Sequence, residues 1–353
     1  MSRAQAPVAL LSLATASPPH VLAQVDVAEA ARRLFQDRFP QFERMAGVFK
    51  TAGVRTRQAV QPIEWYLEPR GWPERTAAYL EGGVDLFVQA AELALARAGL
   101  RGADVDIVVT VSSTGIATPS LEARAMARLG LRPDVKRVPV FGLGCAGGAT
   151  GLGLASALAR ASPRAIVLLV TVELCSLAFR LEDLSKADIV ATALFGDGAA
   201  ACVLASDGEG FAEVEASAER TWPDTLDIMG WRVEPKGLGV ILARSIPTFA
   251  KQHLRAAMVC MLAADRRELG DVDRFLCHPG GMKVIEALEA TLGLHQGQLD
   301  HERDVLADHG NMSAPTVLFV LDRARRAGLP DLSVLTALGP GFTASSVTLR
   351  RTN

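Results

Sequence analysis

The sequence has little net charge and no long run of charges of one sign. Among its 353 residues, 37 Lys and Arg nearly balance 39 Asp and Glu, for a formal net charge of −2 at pH 7. This balance excludes the electrostatic footprint of a protein that binds nucleic acid or an anionic membrane surface. Because 49% of the residues are apolar, we expect a globular protein with one large core or two medium ones.

Cysteines are few, and their spacing argues against a metal site or a disulfide framework. There are five, an odd number, without a CxxC pair or a Cys/His cluster of zinc spacing. A chain of this length does not need covalent cross-links to fold. We therefore expect reduced thiols in a cytoplasmic protein without a bound metal.

Long hydrophobic runs are also missing. No stretch approaches the roughly 20 apolar residues of a transmembrane helix. The N-terminal segment "MSRAQAPVALLSLATAS" has a single Arg before a short apolar run, and "SPPH" follows it. This pattern favours a first β-strand that ends in a proline turn over a secretory signal peptide.

The sequence does contain a regular alternation of strand-like and helix-like patterns. The strand-like runs are almost continuously apolar, which is typical of strands covered on both faces. They lie at 8–14, 105–113, 137–142, 165–173 and 198–206. Helical spacing of apolar residues marks 85–100, 120–130 and 147–161. The alternation predicts an α/β fold with layered helices.

The second part of the chain repeats this style. Strands are predicted at 274–278, 331–339 and 345–351, and helices at 282–293 and 313–328. Each part contains a strand, a turn with a reactive residue and a helix. We therefore predict two similar halves, residues 1–210 and 211–353, with the boundary near "DGEGFAEVE" at 207–215.

Cys145 lies between glycines in "VFGLGCAGGATGLGLASALARA", where a strand-like run changes into a helix. Glycine permits a tight turn, and the following helix would direct free N–H groups at the sulfur. We expect this setting to lower the thiol pKa and to stabilise an oxyanion on an attacked thioester. Taken alone, a nucleophile and a small buried core residue are equally good interpretations.

His278 and Asn311 are the other candidates for chemistry. His278 follows an apolar strand in "FLCHPGG", and α/β folds collect functional groups at such strand ends. Asn311 in "DHGNMSAPTVLFVL" precedes a long helix, so without further information it is better explained as an N-cap. The "GPG" of "ALGPGFTASS" is either a plain turn or a loop that lines a site.

With these residues identified, the chain resembles the type III polyketide synthases, the chalcone-synthase family of thiolase-fold enzymes. "GCAGG", "HPGG" and "GNMSAPTVLFVL" are similar to the family's cysteine, histidine and asparagine motifs. "LFGDGAAA" and "GPGFT" are similar to two further signatures. The resemblance implies a thiolase-like fold, with two similar αβαβα halves packed as a five-layered core.

The resemblance also implies a reaction. Cys145 would carry an acyl group taken from coenzyme A, and His278 and Asn311 would stabilise the enolate formed when malonyl-CoA loses CO₂. The enolate would then extend the acyl chain, and the cycle would repeat. The substrates would be acyl-CoA and malonyl-CoA, with no metal or redox cofactor, and the protein would be a homodimer.

Further residues follow from the resemblance alone. Phe195 matches a gatekeeper between the coenzyme A tunnel and the cavity, and Pro340 and Gly341 match a cavity loop. Arg44 matches a residue that binds coenzyme A phosphates. Lys50 and Arg55 are its neighbours, whereas a lysine of the plant enzymes is replaced here by Val48.

Several cavity positions depart from the plant pattern. Val240 replaces a second gatekeeper phenylalanine, Ala178 a threonine, and Thr118 a methionine that crosses the dimer interface; Ser113 belongs to the same cavity. A wider and more apolar channel favours a long fatty acyl starter, because each buried CH₂ contributes roughly 0.8 kcal/mol. The bacterial alkylpyrone and alkylresorcinol synthases are similar to this chain.

Alternatives remain at this point. Cys175 in "VELCS" is similar to tetrahydroxynaphthalene synthases, which use malonyl-CoA alone. A fatty-acid-initiating ketoacyl synthase shares the fold and the triad, but "HPGG" stands where that family has a Gln-Ala-Asn run. A catalytically silent binding subunit would require the loss of a triad residue, and all three are present.

Overall fold

The apolar strands predicted from the sequence form the centre of the molecule. The computed structural model describes residues 7–36, 39, 41–179, 185–235 and 237–352. Its strands are β1 (Val8–Ala16), β2 (His20–Ala23), β3 (Thr56–Ala59), β4 (Ile107–Val111), β5 (Lys136–Val140), β6 (Val167–Leu174), β7 (Asp197–Ala205), β8 (Ala212–Thr221), β9 (Met229–Glu234), β10 (Gly237–Leu242), β11 (Arg274–Cys277), β12 (Leu332–Gly339) and β13 (Thr343–Arg351).

The α-helices lie between these strands, as the alternation predicted. They are α1 (Gln24–Phe35), α2 (Phe42–Met45), α3 (Val48–Thr51), α4 (Ile63–Tyr66), α5 (Trp72–Arg97), α6 (Leu121–Leu129), α7 (Gly147–Ala161), α8 (Lys186–Leu194), α9 (Ile246–Ala263), α10 (Met282–Leu292), α11 (Asp300–His309) and α12 (Thr316–Gly328). Within the described ranges, no helix is both long and apolar enough to cross a membrane.

The main sheet is built from two half-sheets with the same strand pattern. Its order is β11-β12-β13-β8-β1-β7-β6-β4-β5. In one half, β4 and β6 are parallel, and β7 and β1 continue the half-sheet antiparallel. In the other, β11 and β12 are parallel, and β13 and β8 continue antiparallel. The two half-sheets are joined where Val8–Leu10 pairs with Ala212–Val214.

Helices cover both half-sheets on both faces. Helices α7 and α12 lie between the half-sheets, α5 covers the outer face of the first, and α9 covers that of the second. In β4, Val109 faces the central helices and Val108 faces α5, so both faces of the strand are buried. The five layers confirm the predicted thiolase-like fold, whereas the domain boundary near 207–215 stays a prediction.

Some element bounds differ from the predictions. Helix α5 begins at Trp72 rather than 85, because Pro73 suits its first turn. Helix α12 begins at Thr316 rather than 313, because Ser313 has a φ of 58° and so forms a turn. Helices α1 and α9 were not predicted, although both contribute to the cluster outside the second half-sheet.

Candidate active site

The turn that carries Cys145 is a short 3-10 helix, Gly144–Ala146, between β5 and α7. Gly144 has a φ of +48°, and a Cβ there would lie 2.7 Å from Pro340 Cδ. A Cβ at Gly148 would lie 2.3 Å from the Ala314 carbonyl oxygen. Both glycines are therefore required by close approach, which places the cysteine turn against segments of the second half of the chain.

Asn311 is the side chain that this approach brings to Cys145. The Cys145 Sγ donates a long hydrogen bond of 3.9 Å to Asn311 Oδ1, although 166 positions separate the two residues. The same Oδ1 accepts the Ser313 backbone N–H at 2.8 Å. Because the carbonyl end is engaged, the NH₂ end of the Asn311 carboxamide remains to donate to a substrate oxygen.

His278 lies at the end of β11, where the sequence placed it. Its backbone N–H donates to the Thr336 carbonyl at 2.8 Å, which joins it to β12. The following loop reaches the cysteine–asparagine region, since a Cβ on Gly281 would contact the Leu194 side chain at 3.5 Å. Leu194 in turn accepts the Asn311 backbone N–H at 2.7 Å. Both imidazole nitrogens are buried and have no hydrogen-bond partner among the described residues.

The titration behaviour of the site is opposite to the expectation from the sequence. Burial raises the pKa of the Cys145 thiol to about 11, and its hydrogen bonds with Ser313 and Asn311 only partly oppose this rise. Burial also lowers the pKa of His278 to about 3. The prediction of a lowered thiol pKa was therefore wrong, because desolvation outweighs the helix terminus. Both groups are neutral at neutral pH.

A buried carboxyl group lies next to the cysteine turn. Glu173 at the end of β6 accepts the Ser113 backbone N–H at 2.9 Å. The Ser113 hydroxyl in turn accepts the backbone N–H groups of Gly142 and Gly144 at 3.2 and 3.3 Å. Burial raises the pKa of Glu173 to about 8, so this carboxyl is mostly protonated at neutral pH.

An apolar cavity lies beside Phe195, the predicted gatekeeper. It is a narrow cleft that is partly open to solvent. Phe195, Cys175, Ala178 and Val240 line it, whereas Ser113, Pro340 and Gly341 do not, and the roles predicted for these residues stay predictions. The backbone of Phe195 pairs with that of Asn311, which contacts Cys145, so the cavity is linked to the cysteine through this pair.

Helix α1 forms part of the wall of this cavity. Four aliphatic side chains of this helix line the cavity: Val27, Ala30, Ala31 and Leu34. Phe195 also makes an edge-to-face contact with Trp231, with ring centroids 6.3 Å apart. The cavity wall is thus aliphatic at α1 and aromatic at Phe195.

The buried side chain of Arg57 holds the backbone of Phe195 in place. Arg57, only 3% exposed, donates to the carbonyl oxygens of Thr192 at 2.6 Å, Ala193 at 2.9 Å and Phe195 at 3.0 Å. It also bonds the side chain of Gln24, the first residue of α1. The positive charge of Arg57 is favourable at the C-terminus of α8, where the helix dipole is negative. Through these hydrogen bonds Arg57 holds the end of α8 and the start of α1 together.

The remaining predicted residues lie elsewhere. Thr118 is on the surface, and within one chain it does not reach the cavity. Arg44 and Lys50 are exposed on α2 and α3, and Arg55 forms an exposed ion pair of 2.6 Å with Asp308. Gly341 follows Pro340 in the loop beside the cysteine turn. Within the described ranges, no three His, Cys, Asp or Glu side chains could share a metal ion.

Sequence reasoning missed several polar residues of the site. Glu173, Asp197 and Ser313 are all buried close to the residues described above. For Glu173 and Asp197 a signal existed, because each is an acidic residue at the edge of an otherwise apolar run, "LLVTVEL" and "GDGAAACVLA". No pattern in the sequence pointed to Arg57 or Tyr66.

Comparison with known families gives matches over nearly the whole chain. Residues 1–208 match the family model of the chalcone and stilbene synthases, N-terminal domain. Residues 213–353 match that of the chalcone and stilbene synthases, C-terminal domain.

Individual relatives cover the same extent. The chain is 41% identical over 344 residues to a 1,3,6,8-tetrahydroxynaphthalene synthase of Streptomyces peucetius, covering 95% of this chain and 91% of the relative. It is 32% identical over 352 residues to the alpha-pyrone synthesis polyketide synthase-like Pks18 of Mycobacterium tuberculosis, covering 95% and 89%. The crystal structure of the Streptomyces coelicolor 1,3,6,8-tetrahydroxynaphthalene synthase superposes with a TM-score of 0.93 at 29% identity, covering 98% and 99%.

Proposed function

Since the chain belongs to the chalcone and stilbene synthase family, and is thus a type III polyketide synthase that condenses coenzyme A thioesters, we propose that its starter is a long-chain fatty acyl-CoA. The product would be an alkylpyrone or an alkylresorcinol. The observation that carries this proposal is the apolar cavity beside Phe195, with its aliphatic wall on α1.

The first step is the transfer of the acyl group. The Cys145 sulfur attacks the thioester carbonyl, a new C–S bond forms, and coenzyme A leaves as the thiol. Because burial keeps the thiol protonated, a base has to accept its proton during the attack. The neutral His278 imidazole, with both nitrogens unpaired among the described residues, supports this role.

The second step is extension. Malonyl-CoA loses CO₂, and the charge that develops on the enolate oxygen is stabilised by the Asn311 NH₂ group and by His278. The enolate carbon attacks the acyl group on Cys145, so that a C–C bond forms and the C–S bond breaks. The longer chain returns to Cys145 for the next round, and no cofactor beyond the coenzyme A thioesters is required.

Small side chains near the gatekeeper support a long starter. Ala178 and Val240 leave space beside Phe195, and the helix face beyond them carries only aliphatic groups. Each additional CH₂ of a bound acyl chain adds roughly 0.8 kcal/mol on burial there. The similarity to an alpha-pyrone synthesis enzyme agrees with this proposal.

We also propose that the enzyme acts as a homodimer. Strand β5 is the edge of the main sheet, and next to it Phe141 is 60% exposed and Ile116 57% exposed. Large apolar side chains at a sheet edge are typical of a protein interface. Thr118, beside Ile116 on the same surface, would then contact the partner rather than its own cavity.

The experiment uses hexanoyl-, lauroyl- and palmitoyl-CoA, each with malonyl-CoA, and identifies the products by mass spectrometry. We expect lauroyl- and palmitoyl-derived products to dominate, and sedimentation equilibrium of the same preparation to give a dimer.

Ala30→Leu places a larger side chain in the α1 wall, which narrows the cavity, and is expected to shift the starter preference to hexanoyl-CoA. Val25→Leu, on the exposed face of α1, is the matched control. If the wild type gives only malonyl-derived aromatic products, the starter is malonyl-CoA and the long-chain proposal is wrong.

A further inference from the structure

The cavity beside Phe195 has a few polar side chains in an otherwise apolar wall, and most of them are already engaged. The Arg57 NH groups bond helix carbonyls, and the Thr192 hydroxyl bonds the Asp188 carbonyl at 2.7 Å. The Asp188 carboxylate caps its own helix through Ser185. Tyr66 and Ser176 remain as the lining hydroxyl groups that bond neither their own helix nor a helix end.

Tyr66 and Ser176 form a chain of hydrogen bonds that ends on a buried carboxyl. The Tyr66 and Ser176 hydroxyls lie 2.6 Å apart, and Ser176 Oγ donates to Asp197 Oδ2 at 2.5 Å. The other Asp197 oxygen accepts the Ser176 backbone N–H at 2.7 Å. Asp197 is fully buried and also accepts the Val60 backbone N–H, so the whole chain is held rigidly.

The donor and acceptor order of these hydrogen bonds determines what the Tyr66–Ser176 pair can bind. Because the Ser176 proton points to Asp197, Ser176 accepts the Tyr66 proton, and both hydroxyl oxygens keep lone pairs. The pair therefore offers acceptors to the cavity, and its natural ligand is a hydroxyl donor rather than a bare ketone.

The position of the pair in the cavity fits this ligand. Phe195 of the same lining pairs with Asn311, and Asn311 contacts Cys145. The aliphatic side chains of α1 line another part of the same cavity. A chain extended on Cys145 has its oxygen atoms next to the thioester and its alkyl tail farthest away. Its polar part thus lies near Tyr66 and Ser176, and its tail near α1.

We propose, building on the synthase function above, that Tyr66 and Ser176 accept hydrogen bonds from the enol hydroxyls of the poly-β-keto chain on Cys145. β-Diketones enolise readily, and each extension adds one more such group. Holding these hydroxyls keeps the growing chain in the cavity for further extension. The pair thereby determines how many extensions precede release.

The test compares Tyr66→Phe and Ser176→Ala with the wild type, using lauroyl-CoA and malonyl-CoA. The measured quantity is the ratio of products with three or more extensions to products with two, within each variant. We expect this ratio to fall about two- to tenfold, the effect of one neutral hydrogen bond. The matched control is Tyr79→Phe, which removes a buried Tyr–Ser hydrogen bond of 2.7 Å to Ser112, outside this cavity.

A ratio for Tyr66→Phe that equals the wild-type ratio overturns the proposal, and so does an equal fall in Tyr79→Phe. The ring of residue 66 keeps its contacts with Phe179 in the phenylalanine variant, so the variant is expected to fold. Failure of the proposed starter gives a different result, namely a wild type without lauroyl-derived products. In that case the same ratio is measured among the malonyl-derived products.

Discussion

The two reactive turns of the molecule occupy similar places but are built differently. The cysteine turn precedes α7 at one half-sheet, and the histidine turn, residues 278–281, precedes α10 at the other. Cys145 contacts Asn311, and its turn is packed tightly against Ala314 and Pro340. The imidazole nitrogens of His278 have no hydrogen-bond partner among the described residues, and a Cβ at Gly280 would make only ordinary contacts. The first turn is thus fixed by packing, while the second leaves its reactive group free for a substrate.

This difference has a chemical consequence. A thiol and an imidazole that are both neutral do not form the ion pair of many cysteine enzymes, and neither attracts a charged side chain into the site. Proton transfer from the thiol therefore has to accompany acyl transfer. The unpaired nitrogens of His278 are suited to a group that must accept a proton and later donate a hydrogen bond to an enolate oxygen.

The largest expected effect separates the roles of the two turns. Cys145→Ala removes the acyl carrier, and we expect loss of covalent acyl-enzyme and a decrease of condensation by at least about 10³-fold. His278→Gln removes the proposed base and is expected to slow malonyl-CoA decarboxylation by about 10²–10⁴-fold. Intact-protein mass spectrometry and release of labelled CO₂ measure the two effects. Cys260→Ala, at an exposed thiol, is the control. Acyl-enzyme in Cys145→Ala would show that another residue is the nucleophile.

A smaller effect tests the protonation state. With its pKa raised to about 11, Cys145 is almost entirely a neutral thiol at pH 7. Its alkylation by iodoacetamide should be roughly two orders of magnitude slower there than that of an ordinary thiol. The rate should also rise about tenfold per pH unit up to pH 10, whereas an ordinary thiol levels off near pH 8.5.

Peptide mass spectrometry of the alkylated protein reads each cysteine separately, and the exposed Cys260 is an internal reference for reagent access. The shape of the pH curve distinguishes protonation from restricted access, which would only lower the whole curve. A Cys145 rate that is already constant between pH 6 and 8 would mean that the free enzyme holds a thiolate after all.

The smallest effect concerns packing, and it compares one glycine-to-alanine substitution close to each turn. Gly148→Ala places a Cβ 2.3 Å from the Ala314 carbonyl oxygen, so the backbone has to move. We expect a loss of about 1–3 kcal/mol in the free energy of unfolding. Gly280→Ala meets only Val284, at 3.6 Å, and is expected to change this free energy by no more than about 0.5 kcal/mol. Urea unfolding followed by circular dichroism measures both, and equal losses would contradict the comparison.

The sequence was informative where residues are buried on both sides. Strands such as β4 and β6 are continuously apolar, and the bounds of α7 were predicted without error. Strand β8 escaped detection because most of its residues face outward and are polar, as in "EASAERT". Helix α11 was missed because its sequence, "DHERDVLADH", has few apolar residues, although Glu302 is buried there. Local patterns do not reveal elements whose environment depends on distant parts of the chain.

The site shows the same limit. The Cys, His and Asn motifs predicted three reactive residues, because glycine and proline turns are visible in the sequence, and the structure brings Cys145 and Asn311 into contact. The direction of the Cys145 pKa shift was wrong, since local sequence reports the helix terminus but not the depth of burial. Arg57 bonds Phe195, 138 positions away, and Tyr66 bonds Ser176, 110 positions away, so no local pattern in the sequence predicts their roles.

Because Gly148 packs closely against Ala314, we expect catalytic activity only from molecules in which both halves are folded. The thiol comes from one half of the molecule and the carboxamide from the other, and the two meet only when α7 and the segment before α12 are locked together. An intermediate with a single ordered half has a cysteine without its neighbour. Such a species cannot take up and extend an acyl group prematurely, so reactive chains are handled only by fully assembled molecules.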